Sequence, residues 1–174
     1  MLKKLIWFWN LIYYNLFLFE NKVTNTFLYP FFSLFKSKKV RGIYNKRGVN
    51  DPDLIVKDAL VNPIYGSNSV KAAGIMGVII LFFCLGFFCL YTGFYQEKLN
   101  LTIINLLIFG VVAFLLNYYC LFKNKRYLEY FKEFNALSKV DRVKYAWVSF
   151  LFILFSLIFL ISSFVYMDYL LHQK

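Results

Sequence analysis

Few residues in this chain have types and spacing that could do chemistry, and they do not converge. The sole histidine, His172, stands two residues from the end of the sequence. Cys84, Cys89 and Cys120 form no CxxC or Cys/His spacing of the kind that holds zinc. All three fall in apolar runs and are expected as small buried hydrophobes, with no disulfide framework, since an odd number cannot pair off. Asp51 and Asp53 flank Pro52. Two carboxylates there can contact a cation, but the stronger reading is a helix start, with Asp51 capping, Pro52 in the first turn and Asp53 facing the positive end of the dipole. Gly66-Ser67-Asn68-Ser69 offers backbone N–H groups to a phosphate, yet it lacks the spacing and lysine of a P-loop. It is expected as a turn, with Ser69 capping the next helix.

Hydroxyls give the most regular pattern. Ser149, Ser156 and Ser163 recur every seven residues in a long apolar run. Tyr145, Phe152, Phe159 and Tyr166 repeat the same beat, offset by three. No base accompanies these serines, so they are not read as nucleophiles. A period of 3.5 implies left-handed packing against another helix. Inside a bilayer, small residues allow close approach and hydroxyls bond across the contact, at about 0.6 kcal/mol on average. The aromatic side chains must then carry most of the packing, and the seam is expected to be an assembly surface. With no GxSxG or HExxH motif either, the chain is expected to be no enzyme and to need no cofactor or metal.

The elements that carry these residues belong in a membrane. Of 174 residues, 60% are hydrophobic and 22% aromatic, well above a soluble domain. The net charge of +11 is gathered into a few stretches. Such basicity suits nucleic acid, anionic lipid or a topology marker; with no basic folded surface in sight, topology and lipid head groups are expected and nucleic acid is not.

Residues 1–35 carry Lys3 and Lys4 ahead of an aromatic run, without the small-residue cleavage site of a secretory signal. At 100° per residue, Lys3, Asn10, Tyr14, Asn21 and Asn25 share one stripe. A helix lying in the membrane interface would turn that stripe to water; a tilted span would turn it to a protein neighbour. The interfacial or partly inserted helix is the favoured reading, because Glu20, Asn21 and Lys22 break the run early. Pro30 then predicts a short, kinked second piece.

Residues 36–71 form a basic cytoplasmic loop with a short helix over 54–61, ended by Asn62-Pro63. Its cluster, Lys36, Lys38, Lys39, Arg41, Lys46 and Arg47, has no acid among its twelve positions. It marks the cytoplasmic side and can hold anionic head groups. Residues 72–122 read as two spans, Ala72 to Tyr95 and Leu101 to Phe122, joined as a hairpin with its tip outside. In the first span Ala73, Gly77 and Cys84 cluster on one face, while Gly86, Cys89 and Gly93 lie roughly opposite, suggesting neighbours on both sides. In the second, Thr102, Asn105, Gly110, Ala113, Asn117 and Cys120 share a face. Its amides are expected to bond a neighbouring helix or, as the sharper alternative, to line a water path.

Residues 123–144 are basic and amphipathic, with Tyr127, Tyr130, Phe131 and Phe134 expected to face lipid. Ser138 and Asp141 resemble a capping box for the last span, residues 145–174. The basic loops place the three spans as in-to-out, out-to-in and in-to-out, with the C-terminus outside. The fold expected is an all-α integral membrane protein with three transmembrane helices, an N-terminal interfacial helix and a cytoplasmic amphipathic helix. Asp168 sits near the outer end of the last span, so no ionisable group lies centrally in any span, which weighs against an ion-coupled transporter. The function expected is a scaffold or complex-forming subunit of the bacterial inner membrane, associating with itself or another membrane protein. The alternative is a pore-forming or membrane-perturbing homo-oligomer, its opening lined by Thr102, Asn105 and Asn117 or by the N-terminal polar stripe.

Overall fold

The computed structural model describes the backbone of all but residues 36, 47, 49–50, 96–98 and 173–174, and the side chains of 28–35 are also left undescribed. Among the described residues seven α-helices form: α1 Leu2–Phe35, α2 Lys38–Asn45, α3 Pro52–Val61, α4 Ser67–Phe94, α5 Ile103–Asn117, α6 Arg126–Asn135 and α7 Lys139–His172. A π-helical turn, Tyr118–Phe122, and a 3₁₀ turn, Lys123–Lys125, join α5 to α6. There is no strand among the described residues. Three helical segments, Ser67–Phe94, Ile103–Asn135 and Lys139–His172, are long and apolar enough to cross a membrane. The chain divides into two compact units, Met1–Ile12 with Gly74–Lys174, and Tyr13–Ala73.

Local chemistry sets several helix starts. Thr102 caps α5 by accepting from Asn105 N at 3.3 Å. Ser138 accepts from Asp141 N at 3.1 Å, and its hydroxyl donates to Asp141 Oδ2 at 2.7 Å. That pairing is the capping box with a short acid: Asp reaches the cap's side chain instead of its backbone N–H. Asp51 does precede α3 and Pro52 does enter its first turn, but Asp51 makes no side-chain capping bond. Its carboxylate lies 4.0 Å from Arg41 instead. Ser69 is not a cap either, because α4 already begins at Ser67.

Pro30 does not divide the N-terminal segment: α1 runs from Leu2 to Phe35. A proline inside a helix removes one backbone bond and crowds one carbonyl, and here the helix continues through it. Of the polar stripe, Lys3 and Asn25 are exposed and Asn21 is half-buried, but Asn10 and Tyr14 are not turned to water. Asn10, Leu11, Ile12, Tyr13 and Tyr14 are buried in succession, each 3% exposed or less. Asn10, Leu11 and Ile12 belong to the first unit, Tyr13 and Tyr14 to the second.

In the first unit, α4 and α7 run parallel. Phe83 meets Phe152, Phe155 and Phe159, Phe87 meets Phe159, and Phe94 meets Tyr166, so contacts advance together along both helices. Helix α5 runs the other way, with Gly77 beside Asn117 and Phe88 beside Phe109. Helices α4 and α7 thus run one way and α5 the other, with the π-helical turn, the 3₁₀ turn and α6 between α5 and α7.

The amphipathic segment departs from expectation. Tyr127, Phe131 and Phe134 of α6 are buried within the protein rather than turned outward. The reversal comes from its entry: Asn124 and Lys125 both take left-handed backbone, at φ 58° and 53°. Asn adopts this conformation readily, whereas a residue such as Lys adopts it at a cost of about 1–2 kcal/mol. The resulting sharp turn lays the rings of α6 against α1, where Phe134 meets Trp7.

Candidate functional site

The most specific polar arrangement joins α1 to the end of α5. Trp9 Nε1 donates to Asn117 Oδ1 at 3.1 Å. Beside it, Asn10 Nδ2 donates to the backbone carbonyls of Ile6 at 2.8 Å and Cys120 at 3.0 Å. Cys120 lies in the π-helical turn, among the last carbonyls before the chain breaks at Asn124. Carbonyls at such an end lack onward helical partners. Two are answered from side chains, Cys120 by Asn10 and Tyr119 by Arg126 Nη1 at 3.4 Å. Trp7 Nε1 completes the row by donating to Glu133 Oε1 of α6 at 2.9 Å. Trp7, Trp9 and Asn10 thus form a clamp that fixes the turn between α5 and α6.

The serine seam is buried inside the same unit. Ser149, Ser156 and Ser163 are each 2% exposed or less, and with Met167 they are the buried residues of α7. Read from the sequence as an assembly surface, the seam is occupied by the chain's own helices. Each hydroxyl bonds a carbonyl of its own helix. Ser149 donates to Tyr145 O at 2.9 Å, Ser156 to Ile153 O at 2.7 Å and Ser163 to Phe159 O at 2.7 Å, all within α7. Serine in a helix readily bonds back to the preceding turn, and its small size lets a neighbouring helix come close.

The four seam aromatics find rings opposite them. Tyr145 meets Trp7, Phe152 meets Phe8, Trp9 and Phe83, Phe159 meets Phe83 and Phe87, and Tyr166 meets Phe94. Gly86 and Gly93 admit this approach. A Cβ on Gly86 would stand 2.6 Å from the Phe159 ring and 3.2 Å from Ser163 Oγ, and one on Gly93 would stand 3.0 Å from Met167 Cα. Gly77 lies on the side of α4 toward Asn117, while Ala73 is half-buried in the other unit.

The polar face of α5 does not form a continuous lining. Asn117 is buried on Trp9, whereas Asn105 stays at the helix start, its Nδ2 donating to Asn100 O at 3.3 Å. Thr102 is exposed and occupied as the cap.

A second polar group stands in the Tyr13–Ala73 unit. Thr24 Oγ1 donates to Asn68 Oδ1 at 3.0 Å, and Asn68 Nδ2 donates to Asn21 Oδ1 at 2.8 Å. The Tyr13 hydroxyl pairs with Ser69 Oγ at 2.6 Å, and Lys71 lies 3.9 Å from Glu20. The side chains of Asn68 and Ser69 therefore bind α1. Of the basic cluster, Lys38, Lys39, Arg41 and Lys46 are exposed, while Lys36 and Arg47 lie outside the described residues. Arg41 is drawn toward Asp51 and toward Asp53, 3.9 Å away. At the end of α3, Asp58 accepts from the Tyr65 hydroxyl and from Asn62 Nδ2. These bonds, Tyr65's first, hold the Asp58 carboxyl below the usual carboxylate value, and the same pairing raises the Tyr65 phenol.

Sequence reading missed Trp7, Trp9, Phe83, Phe87 and Phe94 as partners. Asn10 in the polar stripe was the available signal for the clamp, and the Gly86/Gly93 spacing, which repeats the serine interval, was the signal for the facing helix. Among the described residues, no three His, Cys, Asp or Glu side chains gather as metal ligands. The chain matches no family model, no curated protein and no solved structure. Its class is therefore defined by its own geometry, that of an all-helical protein with three helices long and apolar enough to span a membrane.

Proposed function

We propose that the chain is a non-enzymatic multi-pass subunit or scaffold of the bacterial inner membrane, its basic segments cytoplasmic and its C-terminus outside. The observation that carries this reading is the use of polar groups: Asn117, Asn10 and the three α7 serines all bond within the chain. Of these, the bonds from Trp9 to Asn117 and from Asn10 to the Cys120 carbonyl run between helices and hold them together, which suits a structural subunit. The outward surface is apolar along α5, where Ile103, Ile104, Leu107, Val111 and Phe114 are exposed. It meets lipid or a partner's transmembrane helix there, while Lys38, Lys39 and Lys46 face anionic head groups or a soluble partner.

The pore alternative loses its main support, since Asn105 and Asn117 are engaged separately. The experiment that divides the two readings is conductance in liposomes, with Asn105→Leu and Asn117→Leu combined. A scaffold gives no conductance with either protein and keeps its partner in native-membrane pull-downs with the wild type. Conductance that the double substitution abolishes overturns the scaffold.

A further inference from the structure

A groove lies between the start of α1 and α6. Lys3 and Lys4 stand at its rim, Trp7 and Phe8 form its floor one turn later, and Tyr130 and Glu133 form the facing wall. Both lysines are exposed, and among the described residues neither has a carboxylate within ion-pair distance. The floor is held in place. Trp7 lies edge-on to Phe134 at 5.4 Å and to Tyr145 at 5.5 Å, with its N–H on Glu133, and Phe8 lies edge-on to Phe152 at 5.2 Å.

We propose that this groove seats an anionic phospholipid, its phosphate on Lys3 and Lys4 and its acyl chain along Trp7 and Phe8. The inference rests on the membrane reading above. Two cations against one wall carboxylate leave an excess of one positive charge, which matches a singly charged phosphodiester. A fixed aromatic floor beside those cations suits a ligand with an apolar tail, as Trp and Tyr do at membrane–water boundaries. A free inorganic anion would gain nothing from that floor. Tyr145 and Phe152 belong to the end of α7 that follows the basic loop, so the groove lies where the cytoplasmic leaflet's anionic lipids would be.

The test is tryptophan quenching by brominated lipids, using the full chain in a neutral detergent. A Trp147→Phe background removes the exposed indole of α7 and leaves Trp7 and Trp9 as reporters. Brominated phosphatidylglycerol should half-saturate quenching at a roughly tenfold lower mole fraction than brominated phosphatidylcholine. Lys3→Gln with Lys4→Gln should erase that preference, and Lys22→Gln with Lys57→Gln, two exposed lysines away from the groove, should leave it intact. Equal quenching by the two lipids, a preference unmoved by the Lys3/Lys4 pair, or displacement by inorganic phosphate would overturn the proposal, the last showing a free-anion site. Alkaline carbonate extraction tests the membrane reading separately. A chain that resists extraction yet shows no lipid preference refutes the groove alone.

Discussion

Trp9 of α1 donates its indole N–H to Asn117, the last residue of α5, at 3.1 Å. This bond ties the N-terminal helix to the point where α5 gives way to the π-helical turn. Asn117 is buried, so removing its partner strands an acceptor, and removing Asn117 strands a donor. We predict that Trp9→Phe and Asn117→Leu each destabilise the chain by about 1–3 kcal/mol. Their coupling in a double-mutant cycle should be about 1 kcal/mol. Denaturation in mixed micelles measures both; additive losses would show that the bond contributes nothing.

The seam serines separate size from hydrogen bonding. Ser156 is fully buried and its hydroxyl bonds to its own helix. Ser156→Ala should therefore change stability by less than about 0.5 kcal/mol, whereas Ser156→Leu should cost about 1–3 kcal/mol through overpacking. A large loss in the alanine variant would mean that the hydroxyl matters across the seam.

Glycines should rank by what surrounds them. A Cβ on Gly66 would meet backbone, 2.6 Å from Asn62 N and 2.7 Å from Leu60 O. On Gly86 it would meet the Phe159 ring, which can turn aside, and on Gly110 it would meet nothing within 4 Å. Thermal unfolding in detergent should place Gly66→Ala as the most damaging, by about 2 kcal/mol or more, then Gly86→Ala. Gly110→Ala should be neutral or slightly stabilising, since alanine is the better helix former.

The Asp58–Tyr65 pairing predicts a pH profile for the end of α3. A lowered carboxyl contributes stability that is present above its unfolded value and lost as pH falls through the folded one. The raised phenol contributes stability that is present below its unfolded value and lost as pH rises through the folded one. Local structure should then be level across neutral pH and loosen at both extremes. Carboxyl NMR of labelled aspartate should show Asp58 titrating low, and Tyr65→Phe should move it back up. An Asp58 signal that ignores Tyr65→Phe contradicts the pairing.

The long helices were legible in the sequence because an apolar run of span length has few other fates, and Ser138 announced the start of α7. The seven-residue beat of Ser149, Ser156 and Ser163 named a face of α7, but periodicity does not name its occupant. That occupant proved to be α4 of the same chain, beside Gly86 and Gly93. The reversal of α6 was not legible. It depends on left-handed backbone at Lys125, a residue type that gives no notice of that conformation. For Asn10 and Tyr14, a polar stripe on an aromatic helix suits water and buried partners equally, and only the packing of α1 distinguishes them.

The central claim, that the seam closes within one chain, is tested most directly by a cross-link between α4 and α7. A Cβ on Gly93 would stand 3.4 Å from Met167 Cβ, close to the separation a disulfide spans. Gly93→Cys with Met167→Cys, in a chain whose three native cysteines are alanine, should oxidise in native membranes to a bridged monomer. A covalent dimer formed in its place would show that α7 packs against another copy, and would contradict the fold described above.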